Sequence, residues 1–225
     1  MTPEVNKFVV HTIPGSPYAR AVLATLEEKG QFWQLSPLAP GMQRQATHLA
    51  RHPFGKMPVL EHNGFRLYET QAILRYLDRL IPECPLTPAN AREAARMDQA
   101  MSINDAYLFQ GCASVIVFHR VIGPSLLGTA PDEAAIAEAM PRAGTVIAEL
   151  TRLLGDQPFF AGANLSLADL MLAPQLDMFS LTPEWRELTA GKPGLTEWLQ
   201  RIVARPSFQA TTWERVAALA ANTPP

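Results

Sequence analysis

Along the first third of the chain the apolar positions change period several times, and each change marks an element. Residues 7–12 (KFVVHT), with Phe8, Val9 and Val10 at their centre, read as a buried strand. Ser16-Pro17 supplies a helix-capping residue and then a proline at the first helical position, where the missing N–H costs nothing. Tyr18, Val22 and Leu26 share one face of the helix this predicts, and Gly30 closes it. Residues 32–35 predict a short second strand, and 36–51 read as irregular or weakly helical. Residues 57–60 and 65–68 flank Asn63-Gly64, the preferred pair for a type I′ hairpin turn. Ile73, Tyr76, Leu77 and Leu80 then return to helical spacing. Pro58 cannot donate to a sheet ladder, so it belongs at a strand start or a bulge. An X-Pro bond at so tight a place is where a cis peptide is expected. Such a bond would turn the N–H and C=O of Met57 out of the sheet, free to pair with a peptide-like ligand.

This β-α-β-α-β-β-α order, with a proline at the third strand, predicts a thioredoxin-like sheet sandwiched by helices. Three prolines within residues 82–88 mark a linker. Beyond it strand signals largely stop. A long helical stretch is predicted over 90–122, bent near Gly111 and broken by 123–131. A second helix is predicted over 132–154, with Gly155 as its stop. Ser166 caps an apolar helix, LADLMLAPQLDMF, with Asp169 three residues on, an acidic relative of the capping box. Pro174 should kink that helix. Residues 195–204 and 208–221 predict the last two helices. The expected organisation is an α/β domain over 1–82, a linker over 83–89 and an all-α domain over 90–225.

Composition narrows the classes. The chain has 225 residues, is 48% hydrophobic and carries a net charge of −2. That balance offers no electrostatic case for nucleic acid or an anionic membrane. The longest apolar runs, such as 112–118, fall far short of the roughly 20 residues a membrane span needs. The N-terminal MTPEVNK lacks a signal peptide's apolar core. Cys84 and Cys112 form no CxxC pair, so a reducing cytoplasm is the expected location. The five histidines are read as scattered, and no metal site is expected.

A few residues are placed for chemistry. Ser16 follows the first strand and caps the next helix. It is what a plain N-cap looks like; it is also where a hydroxyl and the helix dipole would act together on an anion. A thiol held there would ionise more readily. Glu69 and Thr70 stand at the mouth of a helix, where a carboxylate binds well. Thr70 and its neighbouring N–H groups would take a carboxylate and Glu69 an ammonium, a pairing suited to an α-amino acid terminus. Gln43, Arg44 and Lys56 offer donors for a second carboxylate, though each alone also reads as solvated surface.

Four blocks in order resemble a cytosolic glutathione transferase: SPYARAVLATLEEKG, HPFGKMPVLEHNGFRLYETQAILRYL, NLSLADLMLAP and a late RPSF. The resemblance covers essentially the whole chain, and its N-terminal blocks are most similar to the phi- and theta-like serine classes, bacterial relatives included. It implies that Ser16 activates the glutathione thiol and that Met57, before the proline, binds the cysteinyl backbone. Glu69-Thr70 stands where the family usually has Glu-Ser, and threonine keeps the hydroxyl. Gln43-Arg44 replaces the phi His-Lys pair that meets the glycyl carboxylate, keeping one cation. Ser166 and Asp169 match the family's capping motif, a folding element.

The resemblance thus implies an enzyme whose co-substrate is glutathione and which needs no other cofactor. Its thiolate would attack a small hydrophobic electrophile held in a cleft between two domains, with Tyr107, Gln110, Phe118 and His119 as candidate contacts. These four also fit a simple core stripe. Rival readings are glutathione-dependent peroxide reduction, isomerisation, thiol exchange, or a binding protein that kept the fold. Thiol exchange would favour cysteine at position 16. A homodimer is implied, with Asp98 or Asp105 as a candidate to reach the partner's glutathione site.

Overall fold

Alternation in the first strand decides which of its faces is packed. In β1 (Phe8–Thr12), Phe8 and Val10 are buried on one side. Their cross-strand partners on β3 (Val59–His62) are His62 and Leu60. β1 also pairs in parallel with β2 (Trp33–Pro37), and β3 pairs antiparallel with β4 (Phe65–Tyr68). The strand order is β2-β1-β3-β4. β2 lies at an edge, where its terminal Pro37 is tolerated. The chain is described here from a computed structural model, which covers residues 7–39 and 41–222. The stretch read as lacking a leader's apolar core therefore lies outside the described residues, Lys7 excepted.

The hairpin turn is of the expected kind. Asn63 (φ 48°) and Gly64 (φ 84°) both adopt positive φ. The third strand begins at Val59, two residues later than predicted, because Pro58 brings no N–H to the ladder. The Met57-Pro58 bond is cis. Helix α1 (Pro17–Glu28) ends before Gly30, which sits at φ 62°. The segment read as irregular holds a 3-10 turn at Met42–Arg44 and the short α2 (Ala46–Leu49). Helix α3 (Thr70–Leu80) packs on α1. Val22, Leu23 and Leu26 of α1 and Ile73, Leu74 and Leu77 of α3 are almost fully buried. The Lys29 ammonium is also buried. It donates to Asp78 Oδ1 (2.6 Å) and to the carbonyls of Ile81 (2.8 Å) and Cys84 (2.5 Å). All three of its donors are used, which is the condition for burying such a charge.

The remaining helices are α4 (Ala91–Ile103), α5 (Ser114–Val117), α6 (Glu133–Leu154), α7 (Leu167–Ser180), α8 (Pro183–Thr189), α9 (Pro193–Val203), α10 (Pro206–Ala210) and α11 (Trp213–Ala221). The predicted long helix is interrupted where expected: Gln110 (ψ 119°) and Gly111 (φ 72°) leave helical geometry between α4 and α5. Wide π-type turns flank α5 at Asn104–Ala113 and Phe118–Leu127. The second carries helical turns through residues predicted to break them, up to Gly128 (φ 64°). Residues Ala91–Leu127 together are long and apolar enough to resemble a membrane span. The break divides them, and Met97, Met101, Leu108 and Ile116 are buried in the protein.

The described chain forms two units, Leu86–Ala204 and Met1–Pro85 with Arg205–Pro225. The second boundary differs from the expected single domain over 90–225. The reason is a set of contacts to α1: Arg205 donates twice to Glu28 (2.7 and 2.8 Å), and Arg20 donates to the Phe208 carbonyl (3.3 Å). The Arg20 guanidinium also lies over the Phe208 ring, 5.1 Å from its centroid. The segment predicted as one helix over 208–221 is two helices, because Thr212 caps a new one through its hydroxyl, which accepts from Arg215 N–H.

Within Leu86–Ala204, α7 is buried on nearly every side. Asp169 is its anchor. Its carboxyl accepts from the N–H groups of Phe160 (3.0 Å) and Ser166 (2.9 Å), the Ser166 hydroxyl (2.7 Å) and Trp198 Nε1 (2.9 Å). The predicted acidic capping box is thus present.

Candidate active site

Ser16 enters α1 as its N-cap, with β-type backbone (φ −69°, ψ 116°). Its Oγ accepts from Ala19 N–H at 3.3 Å. A hydroxyl that accepts in this way still has its own proton to donate. Pro17 occupies the first helical position, where no donor is lost. The result is a half-buried hydroxyl at the positive end of a twelve-residue helix, able to donate to an anion.

The segment ahead of the cis-proline is held by packing that the sequence did not announce. A methyl group on Gly55 (φ 61°) would lie 2.9 Å from the Gln43 carbonyl oxygen, so only glycine permits this approach. The fully buried His48 places Nε2 2.8 Å from the Lys56 carbonyl. A carbonyl only accepts, so Nε2 carries the proton. His52, 2% exposed, lies 4.6 Å ring to ring from Tyr68 and 6.4 Å from His48. Reading the histidines as scattered passed over this His48-x-x-x-His52 spacing. Among the described residues no group of three His, Cys, Asp or Glu side chains is arranged to hold a metal. Gln43 and Met57 are half-buried, Arg44 and Lys56 exposed, and Pro58 buried. Met57 precedes β3, so its backbone is not committed to the ladder.

Glu69 and Thr70 begin α3. Glu69 has φ 70° and ψ 113°, a region non-glycine residues avoid and which recurs at functional sites. Its side chain is exposed and makes no capping hydrogen bond. Thr70 is 7% exposed. Burial holds His52 below its ordinary value, partly offset by the nearby Glu69 carboxylate, with His48 and Lys56 acting the same way as burial. Glu69, His52 and Lys56 therefore share one electrostatic neighbourhood. Sequence reasoning found the first and third of these and missed the histidine.

The other candidates lie in Leu86–Ala204. Tyr107 is exposed, with the Arg142 guanidinium 5.9 Å from its ring centroid. Gln110 is exposed at the helix break. Phe118 and His119 meet edge to face at 5.2 Å, and His119 Nδ1 accepts from Asp132 N–H (3.3 Å). The Cys112 thiol is buried, which pushes it up to about 11 and makes it a poor nucleophile.

The four-stranded sheet thus has a capping serine after β1, a cis-proline before β3 and an acid–threonine pair at the start of α3. Family models for the N-terminal and C-terminal domains of glutathione S-transferase match residues 10–85 and 133–201. The chain is 32% identical over 220 residues to glutathione S-transferase 3 of Zea mays, covering 96% of each. Its structure matches glutathione S-transferase III in apo form at a TM-score of 0.81, with 31% identity over 97% of this chain and 100% of that one. It also matches glutathione S-transferase-I bound with the ligand lactoylglutathione at a TM-score of 0.79, with 25% identity over 96% and 99%. The chain belongs to the glutathione S-transferase family.

Proposed function

We propose that this protein joins the glutathione thiolate to small hydrophobic electrophiles as a serine-type, phi-like transferase. The observation that carries the reading is Ser16, whose hydroxyl caps α1 and keeps a proton to donate. A free thiol ionises near 8.5. A donated hydrogen bond and the helix dipole both favour the thiolate, so bound glutathione ionises nearer neutrality. The sulfur then attacks the electrophilic carbon and a C–S bond forms. The leaving group departs with the displaced electron pair, and no covalent enzyme intermediate is needed. Thr70 and the first N–H groups of α3 take the γ-glutamyl carboxylate, and Glu69 takes its ammonium. The Met57 backbone pairs with the cysteinyl unit. Gln43, Arg44 and Lys56 meet the glycyl carboxylate. Tyr107, Gln110, Phe118 and His119 contact the electrophile. Glutathione is the co-substrate, and no other cofactor enters. The protein works in the cytoplasm as a homodimer, the commonest closed assembly; sedimentation that finds only monomer at micromolar concentration removes the dimer.

The test is Ser16→Ala. Glutathione binding persists, thiol ionisation of the bound peptide moves to higher pH, and conjugation of an aryl halide at neutral pH falls by about tenfold or more, the scale for losing a donor to developing charge. Ser16→Cys gains mixed-disulfide chemistry and loses conjugation. If Ser16→Ala titrates and turns over like the wild type, Ser16 is a helix cap only, and Tyr18 becomes the candidate donor.

A further inference from the structure

The Ser16 carbonyl accepts from Arg20 N–H at 3.0 Å, but the two hydrogen bonds that hold its N–H and its hydroxyl are long. Ser16 N–H donates to the Ile13 carbonyl at 3.4 Å, and Ser16 Oγ accepts from Ala19 at 3.3 Å. Both exceed the 2.9–3.0 Å at which such bonds are strongest. What lies against the turn is an aromatic ring from the far end of the sequence. A methyl group on Gly15 would fall 2.8 Å from Cε2, 3.0 Å from Cδ2 and 3.1 Å from Cζ2 of Trp213. The indole therefore lies against Gly15 with no room for a side chain, and Gly15 itself sits at φ 84°. Two independent constraints thus keep position 15 a glycine.

Trp213 is the first residue of α11, fixed there by the Thr212 cap. α11 packs on β2. Just upstream, Arg205 and Ser207 bind Glu28, and Phe208 meets Arg20. The C-terminal segment thus grips α1 along its body and then presses on the turn that feeds it. Trp213 is where that segment meets Gly15.

We propose that Trp213 is a positioning residue for Ser16. Its indole fixes the Gly15-Ser16 turn so that the hydroxyl stays aimed at the thiol sulfur. The proposal rests on the reading of Ser16 as thiolate donor. Trp213 touches neither the peptide nor the electrophile in this role, so it acts on thiolate formation and not on peptide binding.

The experiment compares Trp213→Ala, Trp213→Phe, Thr212→Ala and Ser16→Ala. For each, thiolate absorbance of bound glutathione is titrated against pH, conjugation kinetics are measured, and thermal unfolding is recorded. In Trp213→Ala, ionisation of bound glutathione should move toward the roughly 8.5 of a free thiol. Its kcat at neutral pH should fall about tenfold while KM for glutathione changes little, the signature of a lost transition-state contribution. Trp213→Phe, which keeps an aromatic face on Gly15, should restore most of both. Thr212→Ala loosens the helix without removing the indole, and it should lower the thermal midpoint while leaving the ionisation unmoved. An ionisation shift in Thr212→Ala equal to that in Trp213→Ala would assign the effect to helix docking in general and overturn the proposal. A wild-type titration in Trp213→Ala beside a shifted one in Ser16→Ala overturns it too, and leaves Ser16 as donor. A wild-type titration in Ser16→Ala removes the donor reading itself.

Discussion

His11 and His52 are both held below their ordinary value of 6.5, in each case chiefly by burial. For His11 the cations Arg51 and Arg66 act with burial and Glu61 against it; for His52 the opposing group is Glu69. The unfolded chain takes up protons at these positions near pH 6.5, before the folded protein does. Stability must therefore fall as the pH drops below 6.5, and the loss is complete only below the folded-state values. The thermal midpoint should decline between about pH 7 and about pH 5, and His52→Asn should flatten part of that slope. A level midpoint across the window would mean that both histidines titrate as they do unfolded. Neither histidine was legible as a buried titrating group in the sequence. Ser16 was, because a cap is local: the residue, its proline and the strand before it suffice. His48 on the Lys56 carbonyl and Trp213 on Gly15 were not, because each contact is made by tertiary packing that no local pattern encodes.

At the level of elements, end signals were read well and interior geometry less so. Asn63-Gly64, Gly30 and the Ser166–Asp169 box all sit where predicted, since each meets a local stereochemical need. α8 was missed, although Thr182-Pro183-Glu184 carries a capping hydroxyl, an N1 proline and a first-turn acid. The π-type turns around α5 leave no such signature. They are held from outside, as where Arg120 donates to both Glu133 and Glu184. The start of α7 is held by Asp169. Burial pushes its carboxyl up and the four donors oppose that shift. Asp169→Ala leaves the Phe160 and Ser166 N–H groups, the Ser166 hydroxyl and the Trp198 indole N–H without their acceptor. Each buried orphan costs about 1–3 kcal/mol. The variant should lose at least ~3 kcal/mol in denaturant unfolding of Leu86–Ala204. A midpoint within experimental error of the wild type would show that water or neighbouring groups replace the carboxylate fully.

For the whole molecule, the consequential departure from the sequence reading is that the chain's end returns to the unit in which it began. Composition gave no hint of it, because the helices at the end look like their all-α predecessors; the return depends on which surface they meet. That surface is chemically specific. Burial alone would raise the Glu28 carboxyl, yet hydrogen bonds from Arg205 and Ser207 hold it below its ordinary value. The pair therefore contributes stability above pH 4.5 that is lost as the pH falls below it. A chain ending at Ala204 would strip Glu28 of both partners, Arg20 of Phe208 and Gly15 of Trp213. Hydrogen exchange resolves the result by unit. Amides of α1 and β1 should exchange faster in the truncated chain by an order of magnitude or more, the effect of losing about 1.4 kcal/mol of local stability. Amides of α7 should keep their wild-type protection. Arg205→Met, which removes one clamp and leaves the helices, should give a smaller change of the same pattern and serves if the truncated chain does not fold. Uniform acceleration across both units would mean that they unfold as one. Unchanged α1 exchange in Arg205→Met would mean that the Arg205–Glu28 ion pair contributes nothing to holding α1, and that the end of the chain is docked by Ser207, Phe208 and Trp213 instead.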